Sequence, residues 1–321
     1  MKFLIAGFGS IGRRHFRNLQ ALGEHDIVLL RSYKSTVADD EIKDVPVETS
    51  VEAALAYKPD AVIIANPTAL HLSVALPAAR AGCDIFMEKP ISHSLAGIDE
   101  LAQELRLQHK QMLMGFQFRF HPGLQKAKQL IKAGAIGRIL TARSHWGEYL
   151  PDWHPWEDYR TGYAACKELG GGVVRTLSHP IDYMRWLLGE IEGVAATRGN
   201  LSDLELSEVE DFGEMQFAHQ SGAFSTVHVN YFQQPPRHDL EIIGTQGTIR
   251  WDNADGMCRW WIAAQPGWRE YALPQGFERN DLFLTEMRHF IEVVEKGTPV
   301  LCGLEDGKRV QEIIDQVFIS D

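Results

Sequence analysis

Three short runs in this chain have residue types and spacing that can do chemistry. Gly7-Phe8-Gly9-Ser10-Ile11-Gly12 places glycines in the order GxGxxG. Such a run is either a tight turn or a cradle for a dinucleotide pyrophosphate. Glu88-Lys89-Pro90 sets a lysine against a proline. The residue before proline is held extended, which fixes where Lys89 leaves the backbone, and a Lys-Pro bond can be cis. In a dry crevice the ammonium loses hydration and its pKa falls, making it a proton donor or acceptor near neutral pH; on an open strand end it is only a surface lysine. Ser178-His179-Pro180 reads as a helix start with Ser178 as N-cap. The positive end of a helix disfavours an imidazolium, so His179 is expected as a neutral group that hydrogen-bonds an alcohol or carbonyl; the bland alternative is a capped core histidine. Gly170-Gly171-Gly172, just before it, would let backbone approach a ligand closely.

The surrounding pattern can position these groups. An apolar run from Phe3 to Ala6 predicts a buried strand, and "IGRRHFRNLQALG" predicts a helix with Ile11, Leu19 and Leu22 on its apolar side. Strand, glycine turn and helix is the order the fingerprint requires, with Gly7 for the turn, Gly9 for approach to the pyrophosphate and Gly12 for helix packing. Strands "HDIVLLRSY", "DAVIIANP" and "DIFMEKP" alternate with helices "SVEAALAYKP", "ALHLSVALPAARAG" and "SLAGIDELAQELRLQH", the last capped by Ser92 or Ser94. "QMLMGFQFRF" reads as a further short strand. This is a doubly wound α/β pattern, a Rossmann domain over residues 1–120. Residues 121–321 change rhythm and read as an α+β domain with a mostly antiparallel open sheet. There "IIGTQGTIRW" is a hairpin turning at Gly244–Gly247, and two helices close the chain.

The place at the end of strand two where an acid would bind the ribose 2′-hydroxyl of NAD holds Arg31, with Ser32 and Lys34 following. Arginine grips a 2′-phosphate through paired hydrogen bonds, so NADP(H) is favoured over NAD(H). Asp39, Asp40 and Glu41 lie further on and complicate the local field.

The chain has 321 residues, enough for two domains, and a formal net charge of −11, which argues against a nucleic-acid partner. Its four cysteines are scattered and form neither a metal-binding pair nor a disulfide framework; no metal site is expected, and a reducing cytoplasm is the simplest compartment. No apolar run reaches the roughly 20 residues of a membrane span.

Taken together, "GFGSIGRRH", "ANPTALH", "MEKP", "MGFQFRFHP", "GGGVVRTLSHPIDYMRWLLG" and "IIGTQGTI" resemble the glucose–fructose oxidoreductase, inositol dehydrogenase and rhizopine-catabolism family over nearly the whole chain. The resemblance implies hydride transfer between a nicotinamide cofactor and a hydroxyl or keto carbon of a sugar, sugar derivative or cyclitol. It implies a homodimer or homotetramer built through the open sheet. By position it makes Lys89 a proton relay at the reacting oxygen and Glu88 the acid near the nicotinamide ribose. Asn66, Pro67 and His71 match the segment lining the cofactor. Gln117 and Arg119 match positions facing the nicotinamide and the active-site region, His179 the histidine beside the substrate, and Asp182 the acid one turn on. One departure stands out. Many members carry an aspartate three or four residues before the histidine, where this chain has Thr176 and Arg175. Arg175 then either serves an anionic substrate group or points into solvent.

The loop "YLPDWHPWEDYRTGYAACKE" is expected over the substrate, with Trp153, Trp156 and Tyr159 as stacking groups and Arg160, Tyr163 and Lys167 as polar candidates. Two other readings remain: a lyase or glycosidase that uses the cofactor only transiently, and a non-catalytic dinucleotide-binding protein.

Overall fold

The computed structural model describes residues 1–32 and 40–320. The chain divides into two compact units. The first comprises Met1–Phe116, Glu168–Gly170 and Arg279–Gln311. The second comprises Gln117–Lys167, Gly171–Glu278 and the chain from Glu312 on. The sequence reading ran the second domain unbroken from 121 to 321; the structure instead returns Arg279–Gln311 to the first unit.

In the first unit, β1 (Lys2–Ala6), α1 (Ser10–Ala21), β2 (Asp26–Leu30), β3 (Val47–Glu48), α2 (Val51–Leu55) and β4 (Ala61–Ile64) are followed by α3 (His71–Arg80), β5 (Asp84–Glu88), α4 (Ile98–Leu107) and β6 (Met112–Gly115). The strands form one parallel sheet in the order β3-β2-β1-β4-β5-β6. The cores of β1, β4 and β5 are fully buried, as expected of strands covered on both faces. The order reverses between β1 and β4, and the carboxyl ends there form the ligand-binding edge of such sheets.

Two local expectations are corrected. The helix placed after Ser92 or Ser94 begins only at Ile98, because Gly97 sits at φ 85°, a left-handed conformation that cannot continue a right-handed helix. The strand read through "QMLMGFQFRF" stops at Gly115, and Gln117–Phe120 coil into a turn of 3-10 helix.

The second unit contains α5 (Pro122–Lys132), β7 (Ile139–Tyr149), α6 (Val173–Thr176), α7 (His179–Leu188), β8 (Ile191–Gly199), β9 (Phe212–His219), β10 (Phe224–Asn230), β11 (Phe232–Gly244), β12 (Gly247–Asp252), β13 (Cys258–Ile262) and β14 (Gln265–Tyr271). These strands form an eight-stranded sheet in the order β14-β13-β12-β11-β7-β10-β9-β8, antiparallel except where β7 meets β10. The expected hairpin joins β11 to β12, with Ile243 opposite Thr248. One face is apolar: Met215, Phe217, Val227, Val229, Ile249 and Trp251 are buried where α5, α6 and α7 pack on the sheet. The alternate positions carry polar side chains such as Arg143, Glu214, His228 and Arg250. Finally, α8 (Arg279–Lys296) and the first half of α9 (Leu304–Ile319) belong to the first unit.

Candidate active site

In the first unit the chain leaves β1 through Gly7, whose φ is +95°. A Cβ on Gly7 would stand 2.6 Å from the Asn66 backbone nitrogen. One on Gly12 would stand 2.1 Å from the Gly7 carbonyl oxygen. A Cβ on Gly9, by contrast, would meet no described atom within 4 Å beyond its own stretch of chain. Two glycines are therefore demanded by the protein's own backbone, and the third opens onto free space. Gly9 is also the N-cap of α1 and offers no side-chain acceptor to the first helical N–H groups. An open approach to unpaired helix N–H groups is the geometry a pyrophosphate requires.

Arg31 is buried at the end of β2, its guanidinium 5.7 Å from the centre of the Phe8 ring. Arg13 lies over the same ring at 4.4 Å. Glu41 accepts from Arg13 Nη1 and from Arg17 Nε, each at 2.8 Å. Burial alone would raise the Glu41 pKa; the hydrogen bonds from Arg17 and Arg13 outweigh it and hold the carboxyl below its usual range. Ser32 is exposed. Lys34 lies outside the described residues.

At the end of β4, His71 Nε2 meets the Asn66 carbonyl at 3.0 Å, and Asn66 Nδ2 donates to the Leu70 carbonyl at 3.3 Å. Burial lowers the His71 pKa, so it acts as a neutral ring that pins the Asn66–Leu70 turn. At the end of β5, Glu88 Oε1 accepts from His15 Nε2 at 2.8 Å, while a Cβ on Gly115 would lie 3.0 Å from Glu88 Oε2. Lys89 follows, half-buried, with a cis bond to Pro90.

The second unit assembles around Phe118. Its ring stands 5.0 Å from His179, 4.9 Å from His238, 5.7 Å from Trp146 and 5.8 Å from Trp251. Trp146 stacks on His238 at 4.2 Å with the planes only 2° apart. His238 Nε2 meets the Tyr183 hydroxyl at 3.1 Å, and that hydroxyl bonds Ser144. Burial pushes the Tyr183 phenol pKa well up, so it stays protonated. His121 accepts from the Gly123 N–H at 3.0 Å to cap α5, and burial lowers its pKa to about 4. His179, the first residue of α7, is buried within this aromatic group. Gln117 is buried too.

Arg119 and Asp182 face each other. Arg119 Nε donates to both carboxylate oxygens at 3.2 and 3.0 Å, and Nη2 donates to Oδ1 at 2.7 Å. Both side chains are buried. The sequence places Arg119 toward the active-site region and Asp182 one turn after His179 without linking them; the structure brings them together as one ion pair.

Further expectations are corrected here. Ser178 is not a capping residue: its backbone is nearly helical, at φ −76° and ψ −9°, and its hydroxyl has no partner among the described residues. The chain enters α7 directly from α6, so the extended backbone a cap needs is missing. Arg175 is half-buried, its guanidinium 4.2 Å over the Phe318 ring and within the field of Glu210 and Asp315. The glycine run approaches the protein itself, since a Cβ on Gly172 would meet Glu210 Oε1 at 2.6 Å and one on Gly171 the Tyr163 carbonyl at 2.2 Å. Arg160 is exposed and bidentate on Asp158, both contacts at 2.8 Å, with Glu205 at 3.4 Å. Lys167 pairs with Glu208 at 2.6 Å. Thr176 is buried, beside the fully buried Tyr231. Tyr163 is half-buried, Trp153 stands edge-on to Tyr231 at 5.6 Å, and Trp156 is exposed.

Sequence reasoning missed His15, Arg13, Trp146, Tyr183 and His238. For His15 there was a signal: its i, i+4 spacing to Leu19 lays it on the buried side of α1. The second-unit cluster had none, because it joins strands and helices distant in sequence.

Comparison with known proteins agrees with this geometry. Residues 1–116 match the model of the oxidoreductase family with NAD-binding Rossmann fold. Residues 124–250 match the GFO/IDH/MocA C-terminal domain. A myo-inositol 2-dehydrogenase of Thermotoga maritima is 27% identical, covering 96% of this chain and 92% of its own. A 2,7-anhydro-N-acetylneuraminate hydratase of Mediterraneibacter gnavus is 29% identical, over 79% of this chain and 67% of its own. The solved structure of levoglucosan dehydrogenase in complex with NADH and levoglucosan superposes with a TM-score of 0.87 at 20% identity, covering 100% of this chain and 96% of that one, a likeness of fold. The fold and its glycine cradle define a Rossmann-type oxidoreductase that works with a nicotinamide cofactor. The chain belongs to the Gfo/Idh/MocA oxidoreductase family.

Proposed function

We propose that this oxidoreductase moves a hydride between NADP(H) and a hydroxyl or keto carbon of a cyclitol, sugar or sugar derivative. The observation that carries the reading is the open space at Gly9 on the same sheet edge that presents Lys89. Gly7–Gly12 and the start of α1 would hold the pyrophosphate; Asn66, Pro67, His71, Glu88 and Gln117 are the further cofactor contacts. Nicotinamide bound there supplies the hydride acceptor or donor. Lys89 takes the hydroxyl proton in oxidation and returns it in reduction. His179 hydrogen-bonds the substrate, with Thr176, Tyr163 and the Arg119–Asp182 pair as its companions in the second unit. The inositol dehydrogenases among the relatives support a cyclitol or sugar substrate.

NADP(H) is favoured because the buried Arg31, with Ser32, occupies the end of β2 where a carboxylate would read NAD. Fluorescence titration with NADPH and NADH tests this, followed by a panel of cyclitols and hexoses. Preference for NADPH that is lost in Arg31→Ala is expected. Tighter NADH binding would overturn the cofactor assignment, and no turnover on the panel would overturn the substrate class. We also place the protein in the cytoplasm, as a homodimer or homotetramer built through the open sheet face. No helix among the described residues is long and apolar enough to cross a membrane.

A second reading has one observation behind it. Two of the relatives are hydratases of 2,7-anhydro-N-acetylneuraminate. Product analysis separates the readings: a hydratase or lyase changes its substrate with no net change in nicotinamide absorbance.

A further inference from the structure

Glu286, in the middle of α8, is completely buried, and neither of its carboxyl oxygens has a partner among the described residues. It sits in an apolar stripe with Phe283, Met287 and Phe290, where a carboxylate serves no packing purpose. The face of α1 turned to α8 holds two more buried, unpartnered atoms, His15 Nδ1 and Asn18 Nδ2. The register of the two helices is fixed: Asn280 Nδ2 donates to Asn18 Oδ1 at 2.8 Å. One turn along α8, the Phe283 ring meets the His15 ring at 6.4 Å. Glu286 is the next residue on that face, three positions after Phe283.

The unpartnered atoms are complementary in kind. Glu88 accepts from His15 at Nε2, so a neutral His15 carries its proton there and leaves Nδ1 as an acceptor; an imidazolium would make Nδ1 a donor. In either state a carboxyl group is the natural partner for Nδ1. The walls are apolar, since Phe86 packs edge-on to His15 at 4.9 Å and Phe290 packs on Phe86 at 5.7 Å. An ionised carboxylate alone there would be costly, whereas one that shares a proton is not.

We propose that Glu286 and His15 share one buried proton through a single water, and that this pair sets the hydrogen bond His15 makes to Glu88, the residue preceding Lys89. Glu286 is thus a positioning residue for the β5 end of the site. Its role in turnover rests on the assignment of Lys89 above; the shared proton does not. Burial, and then the charge of Glu88, hold the Glu286 pKa well above the usual carboxylate value, in keeping with a retained proton. The other charged groups nearby are Arg14, stacked over Phe283 at 4.3 Å, and Arg279 at the start of α8, which acts on Arg14.

The test is 15N NMR of the histidine ring nitrogens in the full-length protein, comparing wild type, Glu286→Gln and Glu286→Leu between pH 5 and 9, with His15 assigned by His15→Gln. The Nδ1 resonance of His15 is expected to move in both variants. A Glu286→Leu protein whose His15 Nδ1 signal matches wild type overturns the proposal. Should the leucine variant fail to fold, the isosteric glutamine variant carries the same comparison. Turnover adds a second readout. A shifted pH profile in Glu286→Gln, with NADPH affinity kept, supports positioning, and an unchanged profile contradicts it. If wild type turns over no sugar or cyclitol, the functional reading falls while the resonance experiment still decides the proton.

Discussion

Asp182→Ala is the perturbation whose cost the structure fixes best. The substitution leaves the Arg119 guanidinium buried with its three carboxylate contacts removed. Both side chains are almost fully shielded, at 4% and 2% exposure, so solvent screening discounts little. Breaking such a pair from one side costs about 3–5 kcal/mol, mostly the penalty of an uncompensated charge. For a unit of this size roughly 2–4 °C accompanies each kcal/mol, so the melting temperature of the second unit should fall by on the order of 10 °C. Urea unfolding followed by the tryptophans of the second unit measures it. The double variant Arg119→Met, Asp182→Leu removes both charges and should recover most of the loss, because replacing a buried pair with apolar groups is often neutral. If Asp182→Ala costs less than about 1 kcal/mol, or the double variant is worse than the single, the pair is not the closed buried bridge described here.

Two further outcomes follow from other parts of the first unit. Gly9→Ala should leave thermal stability unchanged but weaken dinucleotide binding in a fluorescence titration, since its Cβ enters open space; Gly12→Ala should lower both, since its Cβ would lie 2.1 Å from the Gly7 carbonyl. The Glu286 linkage has a definite sign: its folded pKa is raised, so above the ordinary value of 4.5 the unfolded chain releases a proton that the folded state keeps. Stability contributed by this group is present at low pH and falls by about 1.4 kcal/mol per unit as pH rises toward the folded pKa. Denaturant titrations of Glu286→Gln should lack that slope, so the variant gains on wild type between pH 5 and 8; parallel curves would contradict it.

The first unit was legible in the sequence because its signals are local. Continuous apolar runs marked β1, β4 and β5, and Gly7, Gly9 and Gly12 sit within one turn of chain. The structure gives each glycine a distinct reason to be there. The ends of elements were less legible. Ser94 looks like a cap, yet Gly97 decides the start of α4. Ser178 looks like a cap, yet α6 running into α7 leaves it helical. Charged candidates were hard to place for a common reason: the sequence does not show which groups Arg160, Arg175 and Asp182 meet inside the fold. Those partners, Asp158, Phe318 and Arg119, are mostly far off in sequence, and only the fold assigns them. Glu286 and His15 were passed over for the opposite reason, as polar residues placed in stripes that the pattern marks as apolar core.

We propose that Lys89 carries the proton of a nicotinamide-dependent oxidation or reduction on the cradle formed by Gly7–Gly12. The most direct measurement compares wild type with Lys89→Met, recording NADPH binding by fluorescence and turnover on the cyclitol and hexose panel. The variant should bind NADPH as wild type does and lose turnover by at least about a hundredfold. Turnover in Lys89→Met equal to wild type would contradict it.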